Sequence, residues 1–384
     1  MKNYNIFYLL SVYCLMFLLV SCKSSGEKEK YVKKLERNKE SIAVGIYKPN
    51  EQDIIYFKEI IEALKIDGGI VAVSLDNSDI KRSKLENIDV LVLPGFRSNS
   101  TIDLDQETIE IIRKFSVERG KGIIGICSGS NVITGNDENA LVNLINLKMI
   151  EPQIGETLNG VMKFNLSDKG KKIFPELKNT QNLFIDFQSG PIIEIEADNG
   201  QGLSLIGSKS ESNAGIPLFV TAQAGKGKVF ITTAHPEITP GMRWMLPRMV
   251  RWAIGRDLVS YDKNVVRPGF FKQEIIIDEN TRKEIDELID LLTQGNKNQK
   301  IEAMGNLMNT YPWLAAEKVR TLLADKDDKV RLKAAEFLTH IEYTLAITDL
   351  EKAVKVERKR KVKEQLLTYE NDMYNMIEQQ VSVN

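Results

Sequence analysis

From Ser41 onward the chain alternates short apolar runs with segments in which apolar residues recur at helical spacing. Ser41 to Tyr47, Ile70 to Ser74 and Val90 to Leu93 predict buried strands, with Asp53 to Lys65 and Asp105 to Arg119 as helices. Such alternation implies parallel strands with helical crossovers on both faces. The middle of the chain reads differently. Val161 to Leu166, Leu183 to Phe187, Ile192 to Ile195, Leu203 to Ile206 and Leu218 to Ala222 are short β-like runs separated by Gly, Pro and Asn, which predicts an antiparallel extension. A turn at Gly225-Lys226-Gly227-Lys228 then leads into the strand Val229 to Thr233. A closing helix over Met242 to Ile254 follows, with Trp244, Leu246, Met249, Val250 and Trp252 available for packing.

After Arg256 the pattern changes. Residues 257–278, which contain Arg267-Pro268-Gly269-Phe270-Phe271, read as a linker, and from Glu279 the period is helical almost to the end. Leu291-Leu292, Leu322-Leu323 and Ala353-Val354 recur at a spacing of 31, as do Ala303 with Ala334 and Leu307 with Leu338. The segment Leu322 to Ile341, with Asp325-Lys326-Asp327-Asp328 before Val330-Arg331, resembles a HEAT repeat. Stacked helix pairs of that kind would form a short solenoid able to grip a protein partner, and an ordinary helical bundle is the alternative. The basic stretch Lys352 to Lys363 reads as a solvated helix face.

Composition narrows the picture. A chain of 384 residues is too long for one ordinary core, so two domains are expected. With 52 basic and 53 acidic residues the net charge is -1, and no nucleic-acid partner is expected.

Lys2 precedes an apolar stretch from Ile6 to Val20, about 15 residues against the ~20 that span a bilayer, so 1–21 reads as a cleaved signal peptide. Leu19-Val20-Ser21-Cys22 resembles a bacterial lipobox. That resemblance implies a lipoprotein anchored in the cell envelope, periplasmic or outer-membrane associated, through acyl chains on Cys22. Residues 22–40 then form a Lys/Glu/Ser-rich tether. Cys14 would leave with the signal and Cys22 would carry lipid. Cys127 would remain as the mature chain's free thiol, in a disulfide-permissive compartment.

Cys127 also has the most informative surroundings, within Lys121 to Gly135. The apolar run Gly122-Ile123-Ile124-Gly125-Ile126 ends at Cys127-Ser128-Gly129-Ser130 and becomes helical. A strand that turns into a helix at one residue strains that residue and needs small neighbours two before and two after, which Gly125 and Gly129 supply. The thiol would then stand at a strand's carboxyl end and at a helix N-terminus. A buried cysteine packed as a small hydrophobe is the plainer reading. The strand Val229 to Thr233 delivers Ala234-His235-Pro236-Glu237, a base with a carboxylate two residues on. His340, in a helical segment, reads as a surface or packing histidine.

Taken in order, Val90-Leu91-Val92-Leu93-Pro94-Gly95, Gly122 to Gly129, Ser189-Gly190-Pro191, Gly225 to Lys228 and His235-Pro236-Glu237 resemble the class I glutamine amidotransferase-like superfamily, biotin-protein ligase N-terminal domain type. The resemblance covers 41–256, with the helical region at 279–384. It implies a flavodoxin-like sheet, a Cys127, His235, Glu237 triad, and an oxyanion hole at Gly95, Phe96 and Ser128, formed by the Ser128 amide and the amide after Pro94-Gly95. No metal and no cofactor are implied. The chain departs from the family in carrying Phe96 where a second glycine is usual. It also lacks an ammonia-accepting domain, so ammonia transfer is not expected.

Two function classes follow. One is a membrane-tethered cysteine amidohydrolase acting on a small amide-containing ligand. The other is a non-catalytic module that binds a ligand in the same pocket and a protein through the helices.

Overall fold

The computed structural model describes residues 41–48, 54–96, 104–134, 142–150, 159–180, 183–188, 190–195, 202–209, 216–261, 265–267, 272–274, 279–310 and 312–381. The expected signal peptide, Cys14, Cys22, the charged tether, Ser189 and Phe270-Phe271 lie outside them.

The first part of the sheet comes from β1 (Ile42–Tyr47), β2 (Ile70–Leu75), β3 (Val90–Leu93) and β4 (Gly122–Ile126), joined by α1 (Ile54–Leu64), α2 (Asn77–Lys81) and α3 (Gln106–Val117). Asp105 caps α3, accepting from the Thr108 amide at 3.0 Å, which is why the helix begins one residue later than the periodicity predicts. After β4 come α4 (Ser128–Ile133), β5 (Lys148–Ile150), β6 (Asn159–Leu166) and α5 (Asp168–Ile173). The short helix α5 is not legible in the apolar pattern. It is set by Ser167, whose hydroxyl accepts from the Gly170 amide at 3.0 Å. The chain continues through β7 (Leu183–Gln188), β8 (Ile192–Glu194), β9 (Ser204–Lys209), β10 (Pro217–Ala224), β11 (Gly227–Thr232) and α6 (Met245–Ala253).

Nine of these strands form one sheet in the order β2-β1-β3-β4-β11-β10-β9-β6-β7. The first five run parallel, and from β11 outward every neighbour is antiparallel. The expected antiparallel extension is therefore present, apart from Ile192 to Ile195. That run pairs instead with β5 in a separate two-stranded sheet.

Alternate residues of the parallel strands feed opposite faces. Val44, Val92, Ile124 and Phe230 pack with Ile60, Leu64, Met249 and Val250 of α1 and α6. Leu91, Ile123 and Ile231 pack with Ile112, Phe115 and Val132 of α3 and α4. Both faces are thus covered, as parallel strands require.

The expected linker holds a small hairpin, β12 (Val265–Arg267) with β13 (Lys272–Glu274). Before it, Tyr261 is tied back by a 2.6 Å hydrogen bond from its hydroxyl to Asp67. Beyond it stand α7 (Glu279–Gln294), α8 (Lys297–Thr310), α9 (Pro312–Thr321), α10 (Asp328–His340), α11 (Ile347–Val356) and α12 (Arg360–Val381). The residues that recur at a spacing of 31 face inward: Leu292, Leu323, Ala303, Ala334, Leu307 and Leu338 are all buried. Their apolar cluster is shared with Tyr56, Phe184 and Ile238 of the sheet region, so the helices pack against the segment that carries His235. His340 is exposed at the end of α10. Among the described residues no helix is long and apolar enough to cross a membrane.

Candidate active site

Cys127 sits between β4 and α4 with φ 50° and ψ -122°, outside the regions a non-glycine residue prefers. Such strain costs on the order of 1–3 kcal/mol and needs over-determination by its surroundings. The backbone provides it. The Cys127 amide donates to the Thr232 carbonyl at 2.7 Å, the Ser130 amide donates to the Cys127 carbonyl at 2.9 Å, and the Ser130 hydroxyl donates to Thr232 O at 3.0 Å. The two glycines provide the rest. A side chain at Gly129 would overlap the Leu93 and Pro94 carbonyls, and a Cβ at Gly125 would stand 2.6 Å from Ile133 Cδ1.

The same Thr232 ends β11, and the chain beyond it is pinned to β7. The His235 amide donates to the Asp186 carbonyl at 2.8 Å. The Thr239 hydroxyl donates to the His235 carbonyl at 2.7 Å and accepts from the Asp186 amide at 2.9 Å. His235 Nδ1 lies 2.8 Å from Glu237 Oε1, and both side chains are fully buried. That contact directs the Nδ1 proton to the carboxylate and leaves Nε2 on the far side of the ring.

Gly95 stands between base and thiol: a Cβ there would lie 3.0 Å from His235 Cε1 and 3.1 Å from Cys127 Cβ. Nε2 makes no hydrogen bond of ordinary geometry among the described residues, while Cys127 Sγ is 3.8 Å from the Gln188 carbonyl. The sulfur is nonetheless near enough to act on the ring electrostatically. Burial disfavours the imidazolium, but the charges of Cys127 and Glu237 outweigh burial and raise His235 well above its ordinary value.

The structure therefore brings Cys127, His235 and Glu237 together at the carboxyl ends of β4 and β11, where ligands meet sheets of this kind. Of the residues expected at an oxyanion hole, Gly95, Phe96 and Ser128, two bond to each other. The Phe96 amide donates to the Ser128 hydroxyl at 2.7 Å, and that hydroxyl donates back to the Phe96 carbonyl at 2.9 Å. This clasp engages the amide assigned to an oxyanion. The Ser128 amide lies in the first turn of α4, where no preceding helical carbonyl accepts it. Gly95 contributes the space between thiol and imidazole.

Three further residues shape the site. The Tyr56 ring stacks on His235 with centroids 4.7 Å apart, and its hydroxyl donates to Gln188 Oε1. Arg243 Nη1 donates to the Glu237 carbonyl and to Glu59 Oε2, the latter at 2.6 Å, which fixes the backbone under the carboxylate. Asp186 is raised to about 6, first by burial and further by Glu237, against the opposing effects of His235, Gln188 and Arg282. Gln188 adjoins the Ser189-Gly190-Pro191 motif and could have been found from it. Tyr56, in α1, and Arg243, in the turn before α6, carry no such signal. Among the described residues no group of His, Cys, Asp and Glu could hold a metal ion.

No protein-family model matches this chain, and no curated protein matches it. Among solved structures, it is similar to a ThuA-like protein from Parabacteroides merdae, with 13% identity and a TM-score of 0.42 over 58% of this chain and 94% of that one. It is similar to PurLQS from Thermotoga maritima, with 15% identity and a TM-score of 0.40 over 56% and 97%. It also resembles a β-galactosidase from Bacillus circulans sp. alkalophilus, with 11% identity and a TM-score of 0.39 over 58% of this chain and 32% of that enzyme.

Proposed function

We propose that this protein is a cysteine hydrolase acting on an amide-type carbonyl. One observation carries the reading: His235 is held between the Glu237 carboxylate on Nδ1 and an open Nε2, beside a thiol at a strained strand-to-helix turn. In the reaction Cys127 Sγ, its proton already held on Nε2, attacks the carbonyl carbon as the thiolate. The carbonyl electron pair moves onto oxygen, facing the Ser128 amide. Nε2 returns the proton to the leaving nitrogen as the C–N bond breaks. Water, deprotonated by Nε2, then attacks the thioester carbon; the C–S bond breaks, the acid leaves and the proton stays on Nε2 beside the thiolate, as at the start.

A second reading, a non-catalytic pocket, draws on the clasp between Phe96 and Ser128, which engages a donor that an acyl-transfer site would use. On either reading the glutamine amidotransferase-like, flavodoxin-like architecture, the lipid anchor on Cys22, an envelope location and a protein partner on HEAT-like helices belong to the same proposal.

The test is labelling of Cys127 by electrophilic amide and thioester probes, with turnover followed in parallel. Labelling should vanish in Cys127→Ser and slow ~10²-fold or more in His235→Ala, the range expected for loss of a general base. Equal labelling rates in wild type and His235→Ala would leave the binding module as the better account. The intact mass of the same full-length preparation tests the anchor, since an unmodified N-terminus at Met1 or Lys23 contradicts it.

A further inference from the structure

A cavity of about 330 Å³ lies beside the β10–β11 hairpin, at the opposite end of the sheet from Cys127. Lys228, on its wall, precedes Thr232 by four residues of strand, ~13 Å at the usual rise. Neither Cys127, His235 nor Glu237 lines it.

The cavity combines two chemistries. Ile173, Ile206 and Trp252 give it an apolar floor, while Lys169, Lys172 and Lys228 surround that floor with ammonium groups. Lys228 Nζ stands 5.3 Å from the centroid of the Trp252 ring, and Lys169 Nζ donates to Ser204 Oγ at 2.7 Å, so two of the three are held against other residues of the wall. Among the described residues no carboxylate lines the cavity. In a chain of net charge -1, with ion pairs elsewhere on its surface, three lysines on one cavity wall with no carboxylate among its described lining residues favour an anion there. Solvated surface lysines are common, but they do not ordinarily enclose a concave indole-floored space.

We propose that this cavity binds an organic anion, whose acid group meets the lysines and whose apolar body lies among Ile173, Ile206 and Trp252. The shared chemistry is a carboxylate, sulfonate or phosphate on an apolar frame.

The test uses the full chain and two dyes with the same aromatic body: 8-anilinonaphthalene-1-sulfonate, which is anionic, and N-phenyl-1-naphthylamine, which is neutral. The sulfonate should bind saturably and more weakly as salt rises. The triple variant Lys169→Gln, Lys172→Gln, Lys228→Gln should bind it ~10-fold less tightly, on the basis of three surface charge contacts of modest strength. The neutral dye should not distinguish the two proteins. Unchanged alkylation of Cys127 in the triple variant reports an intact fold. Equal sulfonate affinity in wild type and triple variant overturns the proposal. So does inorganic phosphate binding as tightly as the dye, which would mean a simple ion site. Loss of sedimentation with phosphatidylglycerol vesicles, without loss of dye binding, would identify a membrane-contact surface and also overturn it.

Discussion

The sheet region buries its decisive charges, whereas the helical region keeps them at the surface. Glu59 with Arg243 and His235 with Glu237 are almost wholly out of solvent, and Arg248, also buried, reaches Glu176. Between the helices, Lys300 meets Asp325, Arg320 meets Asp349 and Lys359 meets Asp328 in partly exposed pairs that tie one helical layer to the next. The helical region and the site consequently respond to pH in opposite senses, the lowered Asp67, Asp76 and Asp105 of the sheet region siding with the helices. Asp327 and Asp328 are held below the usual carboxylate range by Lys297 and Lys359. Asp325, Asp349 and Glu357 are lowered too, their burial outweighed by backbone hydrogen bonds and by Lys300, Arg320 and Arg331. A lowered carboxylate stabilises the fold above its unfolded pKa, and that stability is lost as pH falls through the folded value. At the site both shifts go upward. His235 contributes stability that is present below its ordinary 6.5 and lost as pH rises through its raised value. The difference teaches that surface pairs set how helices align, while buried ones hold a geometry that the fold would not adopt for stability alone.

The largest effect should come from breaking a buried pair. Arg243→Met leaves the Glu59 carboxylate, 1% exposed, without its 2.6 Å partner and removes the donor to the Glu237 carbonyl. Urea unfolding at pH 7 should show a loss of about 3–5 kcal/mol. Glu59→Leu combined with Arg243→Met should recover much of it, because no charge is then stranded. A loss below about 1 kcal/mol for the single change would erase the contrast between the regions.

How much of this was legible depended on whether the cause was local. The parallel strands were readable because each is a continuous apolar run, and the elbow because Gly125, Cys127 and Gly129 are a local steric requirement. His235 and Glu237 were readable as neighbours along one segment. Tyr56 over His235 and Arg243 beneath Glu237 were not. Tyr56 arrives from a helix whose pattern only says which face is buried, Arg243 from the turn before α6, and Glu59 and Arg243 are 184 residues apart. Phe96 was readable as a departure from the glycine that the resemblance implies. That its amide would be engaged by Ser128, 32 residues away, depends on how the ends of β3 and β4 meet. Lys169 and Lys228 likewise converge only through the pairing of β9 with β10 and β10 with β11.

A smaller effect, opposite in sign, is expected at Asp186. Its carboxyl holds its proton up to about 6 in the folded protein against an ordinary 3.8, so stability falls as pH rises across that window. The folded state carries a penalty of about 3 kcal/mol at most at neutral pH. Asp186→Asn should therefore stabilise the protein at pH 7, leave it unchanged near pH 3.5, and flatten the decline between. Urea midpoints measured across that range decide the matter. No gain at pH 7 would mean that water or the Arg282 charge already solvates this carboxylate.

The smallest effect belongs to the helices. Arg320 donates to Asp349 on the neighbouring helix and lies 3.5 Å from Glu317 on its own, with side chains 26% and 27% exposed across the inter-helix pair. Water already solvates such groups well, and holding two long side chains together costs entropy, so Arg320→Gln should remove less than about 1 kcal/mol. The sign of its pH dependence is fixed by Asp349. The loss should be present at neutral pH and should fade as pH falls through that lowered carboxylate, because a neutral Asp349 gains nothing from the arginine. In 1 M salt, where screening acts over ~3 Å, the wild type and the variant should converge. Hydrogen exchange of α9 and α11 reads the effect locally, apart from any change in the sheet. A loss comparable to that of Arg243→Met, persisting in salt, would mean that the helical layers are held by desolvated charge as the site is, and the two regions would no longer differ in kind.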